Sequence, residues 1–147
     1  RGTLIAPARL GSMHRRRLLR LGGSALALAG TAGCLGSGSG SSRRVSMAEG
    51  FVFDPERVPV APGTTVRWVN DSDVGHTVTA YEGRIPERAG YFASGGFETE
   101  RGARNDVRGG LLDADESYEH TFEVEGEYGY FCVPHESSGM TGTVVVG

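Results

Sequence analysis

From residue 45 to the C-terminus, apolar and polar positions alternate with the two-residue period of half-buried β-strands. Val45 and Met47 lead into Phe51-Val52-Phe53, and Asp54-Pro55 breaks that run. Val58-Pro59-Val60 is followed by the turn Ala61-Pro62-Gly63. Between Thr64 and Val69, Val66 and Trp68 share one face, and His76 to Tyr81 reads as a further run rich in β-branched residues. Tyr118, His120, Phe122 and Val124 alternate with Glu119, Thr121 and Glu123, which predicts a strand with one wet face. Gly126 marks a tight turn, Tyr128 to Cys132 returns, and Thr141 to Val146 closes the chain. No part of this region sustains a helical period. Seven or eight short strands over about 100 residues predict an all-β fold, a Greek-key β-sandwich.

Residues 82–117 interrupt the rhythm. Seven glycines, from Gly83 to Gly110, punctuate a polar stretch in which only Glu98–Asp106 suggests a short helix. Such a long loop insertion is either functional or a solvated cover for a sheet edge.

Before residue 45 the pattern changes in kind. Residues 1–12 precede Met13 and are read as an upstream extension outside the fold. Residues 13–33 read as an export leader: Arg15-Arg16-Arg17 gives a basic start like the twin-arginine signal, and the apolar stretch Leu21 to Ala32 is too short and Gly-rich to span a bilayer well. Thr31-Ala32-Gly33-Cys34 resembles a lipobox, with Thr31 where Leu is usual, so Cys34 is the expected lipid anchor. Its alternative is an incidental Cys after an ordinary cleaved signal. Residues 34–44 then form an anchor and Gly/Ser linker, and 45–147 the folded domain. This order predicts a domain exported and tethered to the outer face of the cell membrane.

Composition sharpens the picture. The chain of 147 residues contains 24 Gly and few aromatics, which suits a loop-rich β protein. From Cys34 onward nine Arg face eighteen acidic residues, a net charge of −9, and there is no Lys. An acidic surface argues against nucleic acid as a partner and resembles proteins of salt-loving archaea.

The strongest chemical signal is Phe131-Cys132-Val133-Pro134-His135-Glu136-Ser137-Ser138-Gly139-Met140. One loop between two strands can present a thiolate, an imidazole and a thioether to one point. His76 is the natural second imidazole, with His120 its rival on the face of Tyr118 and Phe122. Two His, one Cys and a weak axial Met form the ligand set of blue-copper electron-transfer sites: sulfur suits Cu(I), imidazole suits both states, and a loop held between strands limits rearrangement. A buried structural Cys or a Cys34–Cys132 disulfide would account for neither His135 nor Met140, and zinc rarely takes a thioether.

With Gly75-His76-Thr77-Val78, the Cys132 loop, Gly126-Glu127-Tyr128, Phe53-Asp54-Pro55 and Ala61-Pro62-Gly63 before Val66-x-Trp68-x-Asn70, residues 45–147 resemble the plastocyanin-type cupredoxins, and most closely the halocyanins of halophilic archaea. The resemblance implies an eight-stranded sandwich binding one copper ion at one end through His76, Cys132, His135 and Met140. Where the family usually has Asn after the first ligand His, this chain has Thr77. The implied function is a type 1 copper protein, expected to be a monomer, shuttling single electrons between membrane respiratory components through redox partner proteins. An enzyme is disfavoured: multicopper oxidases place His beside the Cys, where this chain has Phe131 and Val133, and the binuclear copper site of terminal oxidases needs two Cys in the loop. The alternative is a copper storage or delivery module, although Met13, Met47 and Met140 form no cluster in sequence.

Overall fold

Two four-stranded sheets carry the domain. β1 (Ser42–Ala48), β2 (Val52–Asp54), β4 (Thr64–Asn70) and β6 (Ser117–Phe122) form the first, in the order β2-β1-β4-β6; β3 (Arg57–Val60), β8 (Thr141–Val146), β7 (Gly126–Phe131) and β5 (Thr79–Ala80) form the second, in the order β3-β8-β7-β5. The computed structural model describes residues 40–147; the upstream extension, the leader, Cys34 and most of the expected linker lie outside the described residues. The all-β sandwich read from the alternation is the fold observed, and β1 against β4 and β3 against β8 run parallel while the other pairs are antiparallel.

The alternation becomes the packing. In β4, Thr64, Val66, Trp68 and Asn70 are buried and Arg67 is exposed; in β8, Gly142, Val144 and Val146 point inward. Trp68 sits at the centre, with the rings of Tyr130 at 5.3 Å, Tyr118 at 5.7 Å, Phe92 at 6.0 Å and Phe122 at 6.2 Å. Truncating such a fully buried ring costs about 3–5 kcal/mol, a large share of a small domain's stability. The Tyr128 hydroxyl donates to the Val124 carbonyl at 2.6 Å and pins the turn between β6 and β7.

Two features depart from the pattern. β1 begins at Ser42, inside the expected linker: Ser42, Arg43 and Arg44 are exposed, so hydropathy gives no sign of them, yet their backbone pairs with Thr65, Val66 and Arg67. The run His76 to Tyr81 contributes only the two-residue β5, plus two isolated bridges, His76 to Leu112 and Thr79 to Ala93. Here side chains replace the ladder. The Thr77 N–H faces Cys132 Sγ at 3.4 Å, and the Val78 N–H donates to Ser94 Oγ at 3.0 Å.

The segment 82–117 has its short helix within the expected window, α1 (Glu100–Asn105), capped by Thr99, whose hydroxyl accepts from the Gly102 N–H at 3.0 Å. It also lines the β5 edge, with Ala80 N–H donating to Phe92 O at 3.1 Å and Ser94 N–H to Val78 O at 2.8 Å. It therefore both covers a sheet edge and supplies Phe92 to the core. No helix among the described residues is long and apolar enough to cross a membrane.

Candidate metal centre

The Cys132 loop is a closed backbone unit. After β7 the chain makes a 3-10 helix, Val133–Ser138, with Pro134 in its first turn, and Gly139 ends it in the left-handed region at φ 87°. A side chain there would be strained, so Gly139 is what turns the chain into Met140. Cys132 N–H donates to Met140 O at 3.0 Å, while His135 N–H donates to Cys132 O and Met140 N–H to His135 O, both at 3.2 Å. The two ends of the loop are thereby joined.

His76 arrives from the connection between β4 and β5, and its imidazole and the Cys132 loop converge. His76 Nδ1 and His135 Nδ1 are 3.1 Å apart, Cys132 Sγ is 3.4 Å from His135 Nδ1 and 3.7 Å from His76 Nδ1. A triangle with those sides has its centre about 2 Å from each corner, close to the usual metal–imidazole bond length. Met140 is completely buried at the far end of the loop. His120, the rival histidine, is not part of the group; it stacks on Phe92 with ring centroids 4.8 Å apart.

Neighbouring side chains set the orientation of the two imidazoles and the sulfur. His76 Nε2 lies 2.9 Å from Ser72 Oγ. With the proton on Nε2 donated to that hydroxyl, the Nδ1 lone pair is free to face Cys132 and His135. Ser72 Oγ–H can pass on to Asn70 Oδ1 at 2.9 Å, and Asn70 is itself held because its Nδ2 donates to Val74 O at 2.7 Å and Leu112 O at 3.0 Å. Thr77 ties the two halves of the site: besides its N–H toward the sulfur, its hydroxyl accepts from the Val133 N–H at 2.8 Å. Phe51 stacks on the His135 ring at 4.1 Å, 17° from parallel. Thr77 was visible in the sequence as the residue directly after His76, and Ser72 lies four positions before it, but Phe51 and His135 are 84 positions apart.

Burial decides protonation. His76 and His135 are both pushed below the usual imidazole range, chiefly by burial, so they are held as neutral donors. Burial pushes the Cys132 thiol up, opposed by the Thr77 backbone N–H, so a cation must displace its proton to bind. His76, Cys132 and Met140 are fully buried, while His135 is half-buried and offers the site's exposed edge. Two neutral imidazoles and one thiol converging on a common point, with a buried thioether on the same loop, fit a soft-to-borderline ion such as copper better than a hard cation.

A two-sheet sandwich with such a donor cluster at one end belongs to the copper electron-transfer proteins. Residues 41–147 match the copper binding proteins, plastocyanin/azurin family, and the chain belongs to that family. It is 30% identical to the chloroplastic plastocyanin of Tetradesmus obliquus over 99% of this chain and 88% of that protein, and 35% identical to the plastocyanin of Scenedesmus fuscus over 65% of this chain and 87% of that one. The structure of pseudoazurin from Methylobacterium extorquens AM1 superposes with a TM-score of 0.54 at 29% identity, covering 73% of this chain and 76% of that one. The purple cupredoxin from Nitrosopumilus maritimus shares the fold, with a TM-score of 0.53 at 24% identity over 71% of this chain and 99% of that one. Copper, one ion per chain, is the cofactor, and the protein is an electron carrier, not an enzyme.

Proposed function

We propose that His76, Cys132, His135 and Met140 hold the copper, and that the protein is a halocyanin-type carrier passing single electrons between membrane respiratory components while tethered through Cys34 outside the cell. The observation that carries the site assignment is the convergence of His76, Cys132 and His135, whose donor atoms lie within 4.8 Å of one another. The Lys-free acidic composition and the Arg15-to-Cys34 leader pattern support the halophile and tether readings.

Copper bound here supplies a one-electron Cu(II)/Cu(I) couple. The chain's part is to hold the donors still and keep water away from them. The closed loop and the Thr77 ties fix Cys132 and His135 relative to His76, which limits rearrangement between oxidation states. His135 is the exit: its edge reaches the surface beside exposed Pro134, with Phe51 over one face. Weak redox encounters use small patches of this kind. At molar salt the Debye length is about 3 Å, so the apolar rim around His135, more than the net charge, governs docking there.

Potentiometric titration tests this reading. The Cu(II)-loaded protein should accept and return one electron reversibly and keep its metal in the presence of a Cu(I) chelator. Copper surrendered to the chelator on reduction would favour a storage or delivery module instead.

A further inference from the structure

Beyond the Leu112 backbone that bridges His76, the segment 82–117 reaches the Cys132 loop through the side chain of Arg104. Arg104, on α1, sends Nη1 to Glu136 Oε2 at 2.6 Å and Nη2 to Glu136 Oε1 at 3.1 Å, a two-pronged contact with the residue directly after His135. Its guanidinium carbon lies 4.1 Å above the ring of Phe131, the residue directly before Cys132. One cation thus touches both flanks of the candidate ligand pair. Around it, Arg104 Nε donates to Glu100 Oε1 at 2.8 Å, and the Tyr81 hydroxyl donates to Glu136 Oε1 at 2.9 Å. The Tyr81 ring stacks on Phe131 at 4.3 Å. The helix is itself anchored: Glu82 N–H donates to Glu100 Oε2 at 2.9 Å, and Glu100 N–H returns to Glu82 Oε1 at 3.1 Å.

An ordinary exposed ion pair has little effect. This one differs in geometry. The fork is bidentate, the guanidinium plane is stacked on an aromatic face, and two carboxylates share it. Arg104, Glu136 and Glu100 are only partly exposed, with side chains 36%, 32% and 21% accessible, against more than half for Arg57 and Glu127 in an ordinary surface pair. A clamp on Phe131 and Glu136 restrains the loop from outside, where the loop's own hydrogen bonds join it from within.

We infer that Arg104 is a positioning residue: α1 clamps the Cys132 loop so that Cys132 and His135 are arranged before metal arrives and stay arranged through the redox cycle. This rests on the ligand assignment above for its functional meaning, but it has a readout of its own. A second consequence is that Phe131, fully buried beneath Arg104 and beside Tyr81, offers partners no access to Cys132 from that side, leaving His135 as the port.

The experiment compares wild type, Arg104→Ala, Arg104→Lys and Glu136→Gln. In the metal-free proteins, amide hydrogen exchange is followed at Cys132, His135 and Met140, whose N–H groups close the loop. Arg104→Ala should speed exchange there roughly ten- to a hundredfold, as expected for losing charge-assisted hydrogen bonds, while Val66 and Trp68 in β4 change by less than about twofold. Arg104→Lys keeps the charge without the fork and should restore only part of the protection; Glu136→Gln, which keeps the shape, should loosen the loop less than Arg104→Ala. In the copper-loaded proteins, Arg104→Ala should shift the visible spectrum and the reduction potential. Loop exchange that rises no more than exchange in β4, or full rescue by Lys with spectrum and potential unmoved, would show a plain surface pair and overturn the inference. The ligand assignment fails separately: a copper-loaded wild type without a thiolate-to-copper band would sink it, whatever the exchange rates show.

Discussion

His76 has two ring nitrogens, and its value as a donor depends on which one carries the proton. With the proton on Nε2, Ser72 Oγ at 2.9 Å accepts its hydrogen bond and leaves the Nδ1 lone pair facing Cys132 and His135. Partners of this kind orient ligands, and losing one costs roughly 10–100-fold in metal affinity. Ser72→Ala should therefore weaken Cu(II) binding by about that factor in a chelator competition, and Ser72→Thr, which keeps the hydroxyl, should recover most of it. Equal affinity for Ser72→Ala and wild type would mean that burial alone orients the ring. Phe51 shows the same economy on the other imidazole. It occupies φ 60°, unusual for an aromatic residue. Such a conformation costs about 1–3 kcal/mol, and stacking on His135 returns only about 0.5–1.5 kcal/mol. The turn between β1 and β2 must hold Phe51 in place with help from the surrounding fold.

At the scale of elements, β6 and the segment 82–117 meet through His120 and Phe92, ring on ring at 4.8 Å. Burial holds His120 below its ordinary value, so the unfolded chain binds this proton more readily than the folded one. Stability from the neutral ring is fully present above about pH 6.5 and falls as acid approaches the folded value. His120→Gln should flatten the decline in unfolding free energy between pH 6.5 and 5, measured by denaturant titration of the metal-free protein. A slope equal to wild type's would assign the acid sensitivity to other groups. Strands such as β3 and β4 were legible because one face is buried and the other wet: Val58 and Val60, or Val66 and Trp68, announce themselves. The loop from Cys132 to Met140 was legible because its chemistry lies within nine residues. The Ser72, Phe51 and Arg104 contacts were not, since each looks like ordinary turn, loop or surface chemistry until the fold brings distant segments together. The strand expected from His76 to Tyr81 shrank to Thr79–Ala80 for a related reason: β-branched composition reports a preference for extended backbone, and the acceptors at Cys132 and Ser94 claimed the hydrogen bonds a ladder would have used.

For the whole molecule, the proposed tether and the metal end divide the work. Lipid on Cys34 would keep the domain near its membrane partners while His135 stays free to meet them. Wild-type protein should partition with membranes and Cys34→Ala should be released or keep its leader; a single acyl chain binds only marginally, so firm attachment implies two chains or an uncut leader. Soluble wild type with an N-terminus far beyond Cys34 would count against the tether. The sandwich itself serves the site by bringing His76, on one connection, against Cys132, 56 residues further on, and burying both behind the half-buried imidazole of His135. That arrangement stands or falls on the sulfur of Cys132. The most direct measurement is the visible spectrum of the purified domain titrated with Cu(II), for wild type, Cys132→Ser and Met140→Leu. An intense blue thiolate-to-copper band is expected in wild type, bleaching reversibly with a mild reductant, persisting in Met140→Leu with a shifted potential and vanishing in Cys132→Ser; a Cys132→Ser protein that remains blue would contradict ligation by Cys132.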